Sequence, residues 1–275
     1  MDNAKYKEAI SVFETLSSYK DSEDKIVECK YNNAVSLLNS KNIVAAFEEL
    51  AALKGYKDSA EKAANIYDTY KTQKLKSAKV GDNVFIGLYE QDNKPNGKEY
   101  IEWIVLDKKD GKLLLISKSV LDCKQYNSSD TDVTWETCTL RQWLNNDFVN
   151  TAFSTKELST ISTTTVSTDT PNWSTSPGNP TNDKIFLLSL TEANAYFSSN
   201  NTRRCKPTAY ATAQGTNVDY QDGGCYWWWT RTPGIYQSKV QCVMDEGEAG
   251  GFGISAYEYQ IGVRPAMWID VSKLS

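Results

Sequence analysis

Apolar positions recur with two different periods along this chain, and the change of period divides it. Over the first 78 residues they fall at helical spacing. Ala9, Phe13 and Leu16 form one set and Ala46, Leu50 and Leu53 another, 37 residues further on. The tetrad YKDS follows each set, at 19–22 and 56–59. Each unit therefore predicts an αα-hairpin: a short amphipathic helix, a turn at the tyrosine, and a second helix opened by a carboxylate. Asp58 with Glu61, and Asp21 with Asp24, have the spacing of capping boxes.

Beyond residue 78 the pattern turns β-like. VFIGLY, EYIEWIVLD and KLLLISK read as strands, the last two joined by Asp110-Gly111, a strong hairpin signal. TLRQWLNNDFVNTAF puts Leu140, Trp143, Leu144 and Phe148 on one helical face. Residues 151–182 are rich in Ser, Thr, Asn and Pro, which predicts a long irregular excursion. KIFLLSL then reads as a buried strand and TEANAYF as a short helix. YWWWTR, KVQCVM, GFGISAY and GVRPAMWID read as a compact antiparallel meander, with Pro265 confining its strand to an edge or bulge. The expected architecture is an all-α repeat region over 1–78 followed by an α+β domain over 79–275.

Composition sharpens the division. All eight tryptophans and all seven prolines lie beyond residue 78. The first part balances 12 basic against 12 acidic side chains, so the whole net charge of −5 belongs to the second. With a pI near 5.0, no basic field gathers phosphates, and nucleic acid is excluded as a general partner. The chain has no histidine, which removes Ser–His and Cys–His nucleophiles, histidine metal sites and imidazole relays. Six cysteines form no CxxC pair and are expected to be mostly buried thiols. No apolar run approaches the ~20 residues needed to span a bilayer. A cytoplasmic location is expected if Met1 is the native start, and a cell-surface or secreted one if the chain is an excised fragment. The compartment is otherwise unassigned.

Candidate chemistry concentrates near the carboxy terminus. Between residues 235 and 260, Tyr236, Phe252, Tyr257 and Tyr259 stand in a glycine-rich setting among Gln237, Ser238, Lys239, Gln241 and Glu258. Tyrosine with serine, glycine and amides is the composition of a paratope, because a phenol offers large amphipathic area at little rotamer cost. An ordinary meander with tyrosines paving a half-buried face has the same composition, and both readings stand. In the Trp227-Trp228-Trp229 triplet, alternation places the outer two on one face and Trp228 on the other, so at least one face is core. Trp268 is expected in the core. Arg231 and Arg264 are expected to fix loops, with Glu136 or Asp147 as partners. Asp245, Glu246 and Glu248 read as a solvated turn, and 90–97 as a hairpin loop. No metal and no cofactor is expected. Consecutive cysteines are never closer than 15 residues, no activating motif flanks a Lys or Cys nucleophile, and a paired-carboxylate glycosidase has no specific signature, so no catalysis is expected.

Two resemblances extend this reading. The YKDS units resemble tetratricopeptide-like repeats, close to that period though without the full signature. They imply either a protein-binding groove or, for two units, a spacer. From VGDNVFIGLYEQDN through VTWETCTLRQWLNNDF, DKIFLLSLTEANAYF and WWWTRTPG to GVRPAMWID, residues 80–271 resemble a domain family common in gut Firmicutes, whose proteins often carry the same helical repeats upstream. The WWxRxPG strand, loop-rich stretch and closing GVRPAxW strand are similar to the C-type-lectin-like fold of formylglycine-generating sulfatase-modifying proteins and of variable proteins of diversity-generating retroelements. The paired cysteines of the former have no match here. The resemblance to the latter implies that 235–260 is a solvent-facing ligand surface. Its candidate contacts are Tyr236, Gln237, Ser238, Lys239, Gln241, Phe252, Ile254, Tyr257, Glu258 and Tyr259, with Trp228 alongside. Adenine mutagenesis of an AAC-type codon yields the Tyr, Ser, Phe and Ile seen here but not Gln237, Lys239, Met244 or Glu258, so the chain is either a diversified protein or a fixed relative. A protein is the first expected ligand and a glycan the second.

Overall fold

The computed structural model describes residues 3–16, 19, 21–170, 173–219 and 223–274. The chain divides into two compact units, with the boundary between Ala78 and Lys79.

In the first unit, α1 (Asn3–Thr15), α2 (Ser22–Asn39), α3 (Ile43–Ala52) and α4 (Ser59–Ser77) follow in order, each packed on the next. The two YKDS turns share one backbone solution. The amides of Tyr19 and Tyr56 donate to Leu16 and Leu53 at 3.1 Å each, and those of Ser22 and Ser59 donate to the two tyrosine carbonyls at 3.2 and 3.1 Å. Lys20 of the first tetrad lies outside the described residues. The expected capping boxes do not form. Asp21 (φ −97°, ψ 20°) and Asp58 (φ −99°, ψ 19°) lack the extended backbone that aims a side chain at the first-turn amides. Asp58 instead accepts from the Lys62 ammonium at 2.7 Å and the Tyr31 hydroxyl at 2.6 Å, which lower its pKa below the usual carboxylate value. Buried Phe47 stacks on Tyr70 at 4.0 Å and Tyr67 at 5.4 Å between centroids, and Leu50, Ala46 and Ala63 complete the apolar seam.

The second unit begins with β1 (Asn83–Tyr89), β2 (Glu99–Lys109), β3 (Lys112–Ser117) and the short β4 (Asp122–Cys123). Next come α5 (Thr139–Trp143), a π-turn over Leu144–Phe148, α6 (Val149–Ala152) and α7 (Thr155–Thr160). Three short strands follow: β5 (Thr164–Val166), β6 (Thr181–Asp183) and β7 (Ile185–Phe186). Then come the helices α8 (Leu190–Tyr196), α9 (Asn200–Arg203) and α10 (Ala209–Ala213). The chain closes with β8 (Trp228–Pro233), β9 (Lys239–Val243), β10 (Ala249–Ser255), β11 (Gly262–Val263) and β12 (Ala266–Asp270).

Two five-stranded sheets organise these elements, in the orders β1-β2-β3-β12-β7 and β10-β9-β8-β11-β4. The first is antiparallel throughout. Its β2–β3 hairpin turns at Asp110 (φ 50°) and Gly111 (φ 71°), the two positive φ values of a type I′ turn, with Lys109 opposite Lys112. The last strand returns to this sheet, Trp268 facing Leu114 and Ile269 facing Leu113. The expected carboxy-terminal meander is only partly formed. β8, β9 and β10 are antiparallel neighbours, but β11 runs parallel to β8 and β12 belongs to the other sheet. Pro265, which cannot donate to a ladder, lies where the chain passes between the sheets, and its carbonyl accepts from Ser117 at 2.9 Å.

Other expectations change in detail. Leu140, Leu144 and Phe148 are buried, but the π-turn leaves Trp143 half-exposed. The 151–182 stretch is more regular than its composition predicts. Ser154 and Glu157 cap α7 reciprocally, and β5 pairs with β6, with Val166 opposite Thr181. Trp268 is half-buried, beside a small cavity of about 250 Å³, rather than fully in the core.

Arg231, 2% exposed, ties these parts together. Its guanidinium grips Glu192 through Nη1 at 2.5 Å and Nη2 at 2.7 Å, donates to Ser167 O at 2.9 and 2.6 Å, and to Leu187 O at 2.6 Å. Glu192 also receives the Ser189 amide at 2.9 Å, so one carboxylate both caps α8 and neutralises β8. Thr232, next on β8, donates to Asp169 at 2.8 Å. The arginine is structural, as expected, but its acidic partner is Glu192. Glu136 instead receives Asn179 at 3.0 Å. Glu192 is partly exposed and keeps hydration, so Arg231→Ala, which chiefly removes donors from Ser167 and Leu187, is expected to cost about 1–3 kcal/mol in urea denaturation.

Candidate ligand-binding surface

The segment 235–260 is built on β8 as its foundation. Trp228 and Trp229 are adjacent on the strand and both fully buried, because this sheet is covered on both faces. Their indole nitrogens donate to Arg203 O at 3.2 Å and Lys124 O at 2.8 Å. Trp227 is half-buried and donates to Asp245 at 3.2 Å. Trp228 therefore cannot reach a ligand, and its place among the candidate contacts is withdrawn. Gln241 is withdrawn as well. It is 5% exposed, its amide nitrogen donates to Pro233 O at 3.2 Å, and its buried carbonyl oxygen accepts nothing among the described residues.

From β8 the chain makes a tight turn into β9, with Gly234 N donating to Lys239 O at 2.7 Å. Tyr236 projects from this turn, 62% exposed, with the Lys239 ammonium 5.6 Å from its ring centroid. The turn lies against β10, where Ile235 N donates to Phe252 O at 2.9 Å. Only glycine permits that approach. A Cβ on Gly234 would meet Phe252 O at 2.7 Å, and one on Gly253 (φ +80°) would meet the Gly234 Cα at 2.9 Å. The β9–β10 register shifts between Gly250 and Ile254, and in that bulge Phe252 stands 70% exposed.

Gln237, expected at the ligand, serves the frame. Its amide accepts from Ser176 N at 2.7 Å and donates to Val133 O at 2.9 Å and Ser176 O at 3.1 Å, pinning the turn to two other loops. Thr175 adds a hydroxyl bond to Gly234 O at 2.9 Å. The same loop brings Trp173, half-exposed, to 6.5 Å from the Phe252 centroid. Sequence reasoning missed Trp173. A lone indole in a Ser/Thr/Pro stretch was its only signal.

Past β10, Ala256 is buried and donates to Ser238 O at 2.8 Å, joining this part of the segment to the Tyr236 turn. Tyr257 and Tyr259 are 47% and 65% exposed, while their carbonyls are held from below by the Gln125 amide at 2.6 Å and the Cys123 thiol at 3.0 Å. Burial pushes the Cys123 thiol pKa up, so that sulfur is a neutral donor. Ser238, Lys239, Ile254 and Glu258 are half-buried along the same surface. Beside Tyr259 lies a cavity of about 390 Å³ lined by Lys124, Gln125, Ser128, Trp143 and Gln214 among others, with the Lys124 ammonium 4.5 Å from the Trp143 ring centroid.

The acidic clusters behave as loop residues. Asp245 accepts from Trp227 and from Glu246 N at 3.1 Å. The carboxylates of Glu90, Asp92 and Glu99 come within 4.8 Å of one another, and each accepts backbone amides of its own loop.

This geometry separates surface from frame by measurable stability. Tyr236→Ala, Tyr257→Ala and Tyr259→Ala are each expected to change unfolding free energy by no more than about 0.5 kcal/mol. Trp228→Ala should cost about 3–5 kcal/mol. Chemical denaturation of the four variants checks both.

No curated protein and no solved structure matches the chain. Residues 110–271, more than half of the chain and spanning β3 to the end of β12, match the model of a family described as a domain of unknown function, and the chain belongs to that family, DUF6273.

Proposed function

We propose that the second unit recognises a ligand without catalysis, through the surface of residues 235–260, and that the ligand is a protein. One observation carries the proposal. Among the described residues of this unit, every exposed aromatic side chain, Tyr236, Phe252, Tyr257 and Tyr259, belongs to this one segment of 26 residues. Exposed aromatics cost solvation and are enriched at binding surfaces. Here they are carried by backbone that is hydrogen-bonded to other loops, so little ordering entropy remains to be lost on binding. Lys239, Ser238 and Glu258 supply polar contacts between the rings, and Trp173 extends the patch.

The similarity to the C-type-lectin-like variable proteins supports the same reading, since the segment between two framework strands forms the ligand surface there. On this proposal β8 and the β11–β12 stretch are the framework, and the first unit is a helical spacer that also offers a face to a further protein. Among the described residues, no helix is long and apolar enough to cross a membrane.

A glycan is the second reading. It is favoured by the cavity beside Tyr259, where an indole, two side-chain amides and a hydroxyl converge.

The test is photo-crosslinking from position 257, with position 94 as a control, followed by titration of the recovered protein against purified variants. Tyr236→Ala, Phe252→Ala, Tyr257→Ala and Tyr259→Ala are expected to weaken binding, at least one of them by about tenfold or more. A partner whose affinity survives all four substitutions contradicts the assignment of the surface. Saturable binding on a glycan array, lost in Tyr259→Ala, selects the second reading.

A further inference from the structure

Among the described residues three arginines of the second unit are buried, Arg203, Arg231 and Arg264, and the last two differ in one respect. Arg231 is neutralised by Glu192, whereas Arg264, 1% exposed, meets no carboxylate among the described residues. Its Nε donates to Ser117 O at 3.0 Å and its Nη1 to Arg203 O at 3.1 Å. The guanidinium carbon lies 5.0 Å from the Trp228 ring centroid and 5.1 Å from that of Phe197. These partners orient the guanidinium without cancelling its charge. Two of its five N–H groups are used, and among the described residues Nη2 makes no hydrogen bond. A buried cation left in this state is costly unless an anion completes it.

Arg264 opens onto a cavity of about 510 Å³, within the range of small-molecule sites. Lys118, Arg204 and Lys206 also line it, together with Ser119, Thr202 and Asn201. No Asp or Glu among the described residues does so. Lys118 is partly offset by Glu102 at 2.8 Å, and Lys206 is exposed at the rim. Arg264, Lys206 and, in part, Lys118 thus bring positive charge to one concavity of a chain whose net charge is −5.

We infer that this cavity binds a phosphate or sulfate group, with Arg264 at its base and Lys206 at its rim. A planar guanidinium with free donors suits such an oxygen array. Cations arriving from several directions match a tetrahedral, doubly charged group better than a single carboxylate. The Ser119 hydroxyl and the Asn201 amide complete the donor set, while the Thr202 hydroxyl is committed to Ser199 O at 2.8 Å. The cavity exceeds what one inorganic ion fills, so it also has room for the organic part of a small monoester.

Titration of the whole chain with inorganic phosphate and with glycerol phosphate, at constant ionic strength and followed by calorimetry and amide NMR shifts, tests this. Saturable binding of either probe is expected, with shifts confined to residues around Ser119, Thr202, Lys206 and Arg264. Because Arg264 also holds the fold, Lys206→Glu is the informative variant, and it should weaken binding by about tenfold or more with melting unchanged. Lys124→Glu, at the other cavity, should leave affinity as it is. Tighter binding of the ester identifies a phosphomonoester as the ligand, and tighter binding of the ion identifies free phosphate. No saturable binding of either probe, or equal binding by Lys206→Glu, overturns the inference.

Discussion

The carboxy-terminal surface depends on how β8 is held, and the most heavily bonded of its ties is one guanidinium. Arg231 reaches from the strand to the capping carboxylate of α8 and to carbonyls at Ser167 and Leu187. A neutral side chain at this position would leave the buried Leu187 carbonyl without this donor and cut the ties from β8 to Ser167 and Glu192 together. Once β8 is fixed, β9 follows by pairing with it and β10 by pairing with β9. The exposed aromatic side chains are the far end of that chain of dependence.

The frame and the surface use different chemistry. The frame uses fully buried tryptophans whose nitrogens find carbonyls, buried threonines, and a carboxamide, Gln237, that links three loops. The surface uses phenyl and phenol rings whose backbones are tethered while their side chains are free. Close contact of Gly234 and Gly253 lets the Tyr236 turn and the Phe252 bulge share one support. Such a division lets surface side chains change without disturbing the fold, which is what a recognition surface needs.

The sequence foreshadowed features that rest on local chemistry. The Asp110-Gly111 turn is legible because positive φ at two successive positions demands those residues. The 37-residue repeat is legible because both YKDS turns close the same local hydrogen bonds. Aromatics set among glycines and polar residues left open whether Tyr236, Phe252, Tyr257 and Tyr259 face solvent or pave a half-buried face, and packing decides it. What long-range packing decides was not legible. Trp228 alternates with its neighbours in the sequence, yet a sheet covered on both sides buries Trp229 too. Gln237 looks like any exposed amide until loops more than sixty residues upstream supply its partners. The identity of Glu192 as partner of Arg231, and the pairing hidden in the serine-rich 151–182 stretch, likewise depend on contacts between distant segments.

The central claim is that rings at four positions face solvent on a frame that keeps its own aromatics dry. Hydroxyl-radical footprinting with peptide mass spectrometry reads this directly, because oxidation tracks side-chain access to water. The account predicts rapid modification of Tyr236, Phe252, Tyr257 and Tyr259 and protection of Trp103, Trp135, Trp228 and Trp229 in the same sample. Protection of the three tyrosines in the free, folded chain would contradict it, by placing them in the core.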